Sequence, residues 1–170
     1  MANETGKVTF MGNPLTLIGS KKVGLGDKFP VGVVLLNNDL TPFKIDEVKG
    51  VKIVTTVPSL DTPVCDTQVR KFNEKAAGMN IGVFAVSADL PFAQARWCGG
   101  AGIKNVRTLS DHAHMGLADA LGLHIKELRL FARSVMVVDS SGKITYIQVV
   151  SEVTHEPDYE AALAAAKKAS

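Results

Sequence analysis

The segment 51–57 reads VKIVTTV, and every residue in it except Lys52 is β-branched. Such a run suits a pleated sheet better than a helix, and its lack of alternation means that both faces need cover. It predicts an inner strand, ended by Pro58, which has no N–H to give to a ladder. A chain built on such a strand must supply helices, and the next residues do. Between Val64 and Ala77, the residues Val64, Gln68, Phe72 and Ala76 recur at helical spacing, with Arg70, Lys71, Glu74 and Lys75 as the wet side and Gly78 as a stop. IGVFAVSA, residues 81–88, reads as a second inner strand. Pro91 then opens a helix over Phe92–Trp97, which Gly99-Gly100 is expected to halt.

The remaining segments fit the same plan. VTFMG and LTLIG flank Asn13-Pro14 and suggest an N-terminal hairpin over residues 8–18, bent near Gly12-Asn13. Short strands are expected at Gly32–Leu36 and Val106–Leu109, a turn at Asn37-Asn38-Asp39, and a helix from Met115 to Leu121 ending at Gly122. SVMVVD and KITYIQVV surround Ser140-Ser141-Gly142, so they predict adjacent antiparallel strands. Pro157 is expected to start an alanine-rich helix, with Asp158 and Glu160 at its positive end and Lys167-Lys168 at its negative end. Inner strands joined through helices, then a hairpin and a helix, indicate an α/β fold with a central mixed sheet covered on both faces. No repeat or linker divides the chain, and 170 residues suit one domain, 1–170.

Nineteen basic and seventeen acidic side chains leave a formal charge of +2. Lys21-Lys22 and Lys167-Lys168 read as solvated segment ends, and no basic run offers a nucleic-acid surface. No apolar run approaches the ~18 residues of a membrane span. MANETGKVTF lacks the basic start and apolar core of a signal peptide, so the expected location is the cytoplasm. Stable structural disulfides are rare there. The two cysteines, Cys65 and Cys98, form no CxxC pair and cannot build a zinc cluster by themselves. His112, His114, His124 and His155 fall in no metal-binding pattern and read as loop and surface residues, so no metal or cofactor is expected. Two inert, buried thiols remain an open reading at this point.

The surroundings of Cys65 weigh against inertness. In PSLDTPVC the chain leaves a buried strand at Pro58, turns, and enters a helix for which Thr62 is a suitable cap and Pro63 a suitable first residue. Cys65 then lies in the first turn, where unpaired amides and the positive helix end favour a thiolate. It also lies beyond the end of an inner strand, where α/β folds commonly place their sites. Asp61 and Asp66 oppose the anion unless they point into solvent. Arg70 and Arg133 are the candidate positive groups; Arg70 is off the Cys65 face, and Arg133 precedes SVMVVD, a strand-end position that usually exposes an arginine.

Pro58, Thr62 and Cys65 carry P-x-x-x-T-x-x-C, which resembles the active-site motif of the peroxiredoxins. The segments DTPVCDTQVRKFN, SADLPFAQARWCG and EPDYEAAL are similar to those of bacterial thiol peroxidases, the atypical two-cysteine peroxiredoxins, and the likeness runs from VTFMGNPLTLIG to the last helix. The resemblance implies a thioredoxin-like fold with an added N-terminal hairpin. It implies that Cys65 attacks a hydroperoxide (hydrogen peroxide, or an organic or lipid hydroperoxide) and becomes a sulfenic acid, which Cys98 resolves as an intrachain disulfide. Thr62 is implied to set its hydroxyl beside the thiolate, Pro58 to shield the pocket, and Arg133 to orient the peroxide. Thioredoxin as reductant and a homodimer as assembly are implied in the same way. A general thiol–disulfide oxidoreductase is the alternative, disfavoured by the missing CxxC, and a noncatalytic binding domain is a third reading.

Overall fold

The computed structural model describes residues 7–170; most of the leading segment read above for a signal peptide lies outside them. In chain order the elements are β1 (Val8–Phe10), β2 (Asn13–Leu15), β3 (Leu17–Ile18), β4 (Leu35–Leu36), β5 (Pro42–Phe43), β6 (Lys52–Thr56), α1 (Pro63–Lys75), β7 (Gly82–Ser87), α2 (Pro91–Ala101), β8 (Arg107–Ser110), α3 (Gly116–Leu121), β9 (His124–Ile125), β10 (Leu130–Phe131), β11 (Ser134–Val138), β12 (Ile144–Val149) and α4 (Tyr159–Ala169). Among the described residues the main sheet runs β12-β11-β6-β7-β8-β4-β5. β6, β7 and β8 are parallel, and β11 and β4 flank them antiparallel. The expected mixed sheet is present.

The unbroken apolar runs are explained by cover on both sides. Ile53, Val83, Ala85, Val135 and Val137 pack toward Val69 and Phe72 of α1 and Ala162 and Leu163 of α4. Their neighbours Val54, Phe84, Val86, Met136 and Val138 join Leu117 and Leu121 of α3 on the other face. Phe72 is fully buried and meets Tyr159 edge-on at 5.1 Å between centroids. Truncating such a ring costs about 3–5 kcal/mol.

Several boundaries differ from the sequence expectation. The hairpin is β1–β2 alone, with Met11 and Gly12 at φ 50° and 81°, the two positive values of a type I′ turn. The bend is therefore Met11-Gly12 rather than Gly12-Asn13, and β3 leaves the hairpin to pair with β9. The strand expected over Gly32–Leu36 keeps only Leu35–Leu36. α2 does not stop at Gly99-Gly100: an interior glycine costs only about 1 kcal/mol against alanine. The stop is Gly102, at φ 65°, whose N–H, like that of Ile103, is donated to the Cys98 carbonyl. Pro157 lies outside α4, because Asp158 is the cap and accepts from the Ala161 N–H at 3.0 Å.

Asp111 follows β8 and is 3% exposed. Its carboxylate accepts from the Leu117 and Ala118 amides, yet burial outweighs these donors and pushes the group up to about 6. The folded value exceeds the unfolded one, so the folded chain holds a proton that the unfolded chain has released between about pH 4 and 6. The resulting stability is complete below about pH 4 and is lost as pH rises through about 6. Relative to Asp111→Asn, the native chain is expected to lose on the order of 3 kcal/mol over that window, read from urea melts at successive pH values. A relative gain would mean that the amide donors dominate.

Candidate active site

The loop leaving β6 delivers Cys65. Pro58 is buried at its start, and the loop is pinned by Asp89: Ser59 Oγ donates to Asp89 Oδ1 at 2.7 Å and the Leu60 N–H to Oδ2 at 2.8 Å. Thr62 is the residue before α1, and Pro63 is its first residue, as the sequence predicts. The Thr62 hydroxyl does not cap the helix. It is exposed and donates to the Ser59 carbonyl at 2.9 Å, which leaves the first-turn amides without a side-chain cap. Cys65, with no exposed surface, replaces Val64 as the first member of the helix's inner stripe, followed by Gln68, Val69 and Phe72.

The residue pattern alone left Arg133 at an ordinarily exposed strand end, and only the resemblance assigned it to the peroxide. It is 1% exposed and points inward just ahead of β11. Its Nη2 donates to Cys65 Sγ at 3.3 Å, its Nη1 to Gln68 Oε1 at 2.7 Å, and its Nε and Nη2 to the Val153 carbonyl at 3.0 and 2.7 Å. Gln68 is oriented from behind, since its Nε2 donates to Thr55 Oγ1 at 2.5 Å and Thr55 Oγ1 donates to the Ser134 carbonyl. That direction of donation forces Oε1 toward the guanidinium. Among the described residues Arg133 has no carboxylate ion pair. Cys65 Sγ is among its hydrogen-bond acceptors, and the Glu156 carboxylate feels its charge from beyond ion-pair distance. Arg70, the other candidate, is occupied elsewhere: it pairs with Asp66 at 2.8 Å and lies over Trp97.

Cys98 sits in the last turn of α2, half-buried, with Sγ 3.2 Å from Thr108 Oγ1. It opens onto a cavity of about 380 Å³ lined also by Asn37, Asn38, Thr41 and Arg107. Both cysteines are free thiols on different partners. Their sequence neighbours nevertheless touch, because Trp97 Nε1 donates to Asp66 Oδ1 at 2.6 Å. Asp66, expected to oppose a thiolate, is instead neutralised by Arg70. Thus Cys65 and Arg133 are brought together, Pro58 and Thr62 frame the loop, and Cys98 stands on the adjoining helix.

Two participants were not singled out from sequence. Gln68 had a signal, a polar residue inside an apolar stripe three positions after a first-turn cysteine. Val153 had none, because its backbone carbonyl does the work. Among the described residues no cluster of three metal-ligating side chains occurs, and no helix is long and apolar enough to cross a membrane.

The redoxin family profile matches residues 25–163. A thiol peroxidase of Halalkalibacterium halodurans is 51% identical over 164 residues, covering 95% of this chain and 98% of that protein. One of Bacillus subtilis is 50% identical, covering 95% and 96%. The crystal structure of a peroxiredoxin-like protein from Aquifex aeolicus superposes with a TM-score of 0.91 at 39% identity, covering 96% of this chain and 97% of that one.

Because Gln68 Oε1 satisfies a buried charged donor, Gln68→Leu should destabilise the fold by about 1–3 kcal/mol in chemical denaturation. A neutral result would mean that the guanidinium finds another acceptor.

Proposed function

The chain belongs to the redoxin family, as a thiol peroxidase of the peroxiredoxin type, and from that premise we propose that it reduces hydrogen peroxide and organic or lipid hydroperoxides through a Cys65 sulfenic acid and an intrachain Cys65–Cys98 disulfide, recycled by thioredoxin. The observation that carries this reading is the Cys65 sulfur in the first turn of α1, 3.3 Å from a buried guanidinium.

The Cys65 thiolate attacks the terminal oxygen of the hydroperoxide. The S–O bond forms as the O–O bond breaks, and the departing alkoxide or hydroxide takes a proton and leaves as alcohol or water. Negative charge grows on that oxygen, where a fixed donor acts most strongly, and Arg133 Nη2 is the donor at hand. Pro58 walls the loop, and the Thr62 hydroxyl contributes once it leaves the Ser59 carbonyl. Cys65 is fully buried, and its chain neighbours Pro63 and Val64 face a seam between the first turn of α1 and residues 154–156. A cavity of about 400 Å³ lies along that seam, with Pro63 and Val64 as an apolar wall suited to an alkyl group.

Cys98 then attacks the sulfenic sulfur, forming the disulfide and releasing water. Closure requires both sulfurs within disulfide geometry, so the last turn of α2 has to leave its seat on Thr108. The half-exposed side of Cys98 is where a dithiol reaches the bond, and exchange returns both cysteines to thiols. Free cysteines suit the reducing cytoplasm. Exposed Leu90 and Phe92 at the start of α2 offer apolar surface for a homodimer.

Cys65→Ser should abolish turnover, and Arg133→Met should slow the first oxidation in rapid peroxide kinetics. Cys98→Ser should still consume about one peroxide per chain, then accumulate oxidised Cys65 without recycling. Trp97 is the sole tryptophan and is bonded beside both cysteines, so its fluorescence should change as the disulfide closes and stay constant in the Cys98→Ser protein. Peptide mapping that finds Cys65–Cys65 links between chains, with no Cys65–Cys98 peptide, overturns the intrachain mechanism.

A further inference from the structure

The segment after β12 has no regular structure, yet it supplies the carbonyl that fixes Arg133. Two guanidinium nitrogens converge on Val153 O, and one of them, Nη2, is also the nitrogen that faces Cys65. A shift of this carbonyl therefore moves the donor that meets the sulfur. What holds Val153 in place comes from the far end of the chain. The Val153 N–H is donated to Thr9 O at 2.9 Å and the Thr9 N–H to Ser151 O at 2.7 Å, so β1 meets residues 151–153 through one isolated parallel bridge, Thr9 to Glu152.

The side chain of Glu152 closes this joint. Its carboxylate accepts from Thr9 Oγ1 at 2.6 Å, from the Met11 and Gly12 amides at 2.9 and 3.1 Å, and from the Thr154 N–H and hydroxyl at 3.2 and 2.9 Å. The Thr9 hydroxyl and these amides hold the carboxyl well below the usual range, so it stays ionised through any working pH. The Met11-Gly12 turn is tied to this anion. Met11 takes a positive φ that costs a non-glycine residue energy, and the two successive amides of the turn point at the carboxylate.

We propose that Glu152, by clamping the N-terminal hairpin to the 151–154 segment, is a positioning residue for Arg133 in the peroxide step. The hairpin is then a working part of the site, joined to it by contacts between residues about 140 apart in sequence. The inference rests on Arg133 acting in that step, and the test separates the two claims.

The experiment measures the rate of Cys65 oxidation by hydrogen peroxide in Cys98→Ser protein, for Glu152→Ala, Arg133→Met and the double variant, with circular dichroism confirming the fold. Glu152→Ala should slow oxidation about tenfold, the loss of roughly one charge-assisted hydrogen bond at the transition state. In the Arg133→Met background the same substitution should change the rate less than about twofold, because its route to the sulfur is gone. Equal slowing in both backgrounds, or no slowing in either, overturns the positioning role. If Arg133→Met alone leaves the rate unchanged, the assigned role of Arg133 fails first. Should Glu152→Ala not fold, Thr9→Val removes one donor of the clamp, and the same cycle applies with a smaller expected slowing.

Discussion

A guanidinium with 1% exposure and, among the described residues, no carboxylate within ion-pair distance is costly unless its donors and its charge are met. Here the donors of Arg133 are met by an amide oxygen, a backbone carbonyl and a sulfur. The first two satisfy hydrogen bonds and leave the charge in place, with Cys65 Sγ in contact and the Glu156 carboxylate further off. The uncapped first turn of α1 adds amides that have no side-chain partner. Three parts of the chain must keep register for this to hold: the start of β11, the second turn of α1, and the segment after β12. The antiparallel β6–β11 pairing aligns the first two, placing Thr55 within reach of both the Ser134 carbonyl and Gln68.

The two cysteines are held by different physics. Cys65 is enclosed in a packed core with Val69 and Phe72 on its own helix. The end of α2 is held by polar contacts, Trp97 to Asp66, Arg70 to the Ala101 carbonyl and Cys98 to Thr108, with Trp97 and Ile103 only partly buried against the core. Such contacts exchange with water at small net cost, whereas opening the core around Cys65 exposes apolar area. The asymmetry makes α2 the more compliant of the two helices.

What could be read from the sequence was local. The β-branched run at 51–57, the alternations around Ser140-Ser141-Gly142, and the Thr62-Pro63 helix start rest on sterics acting within a few residues, and these elements lie where expected. The burial of Arg133 was not legible, because it follows from what three distant segments present to it and a strand-end arginine is ordinarily wet. Glu152 was invisible for the same reason, its donors lying about 140 residues upstream. The end of α2 was misread in the opposite sense. Two glycines looked like a stop, but the conformation that ends the helix belongs to Gly102, and Gly99 and Gly100 stay helical at a cost of about 1 kcal/mol each against alanine.

That glycine pair has a kinetic consequence. Each glycine weakens the local helix by about 1 kcal/mol relative to alanine, so the turn bearing Cys98 is easier to unwind than one built on alanines. In the proposed cycle, unwinding sets how long a sulfenic acid waits on Cys65 before it is captured. During that wait a second peroxide competes, and its product, a sulfinic acid, lies beyond the reach of a dithiol. In that cycle, helix propensity at two positions remote from Cys65 bears on the dose of peroxide at which the chain stops being a catalyst and becomes a casualty.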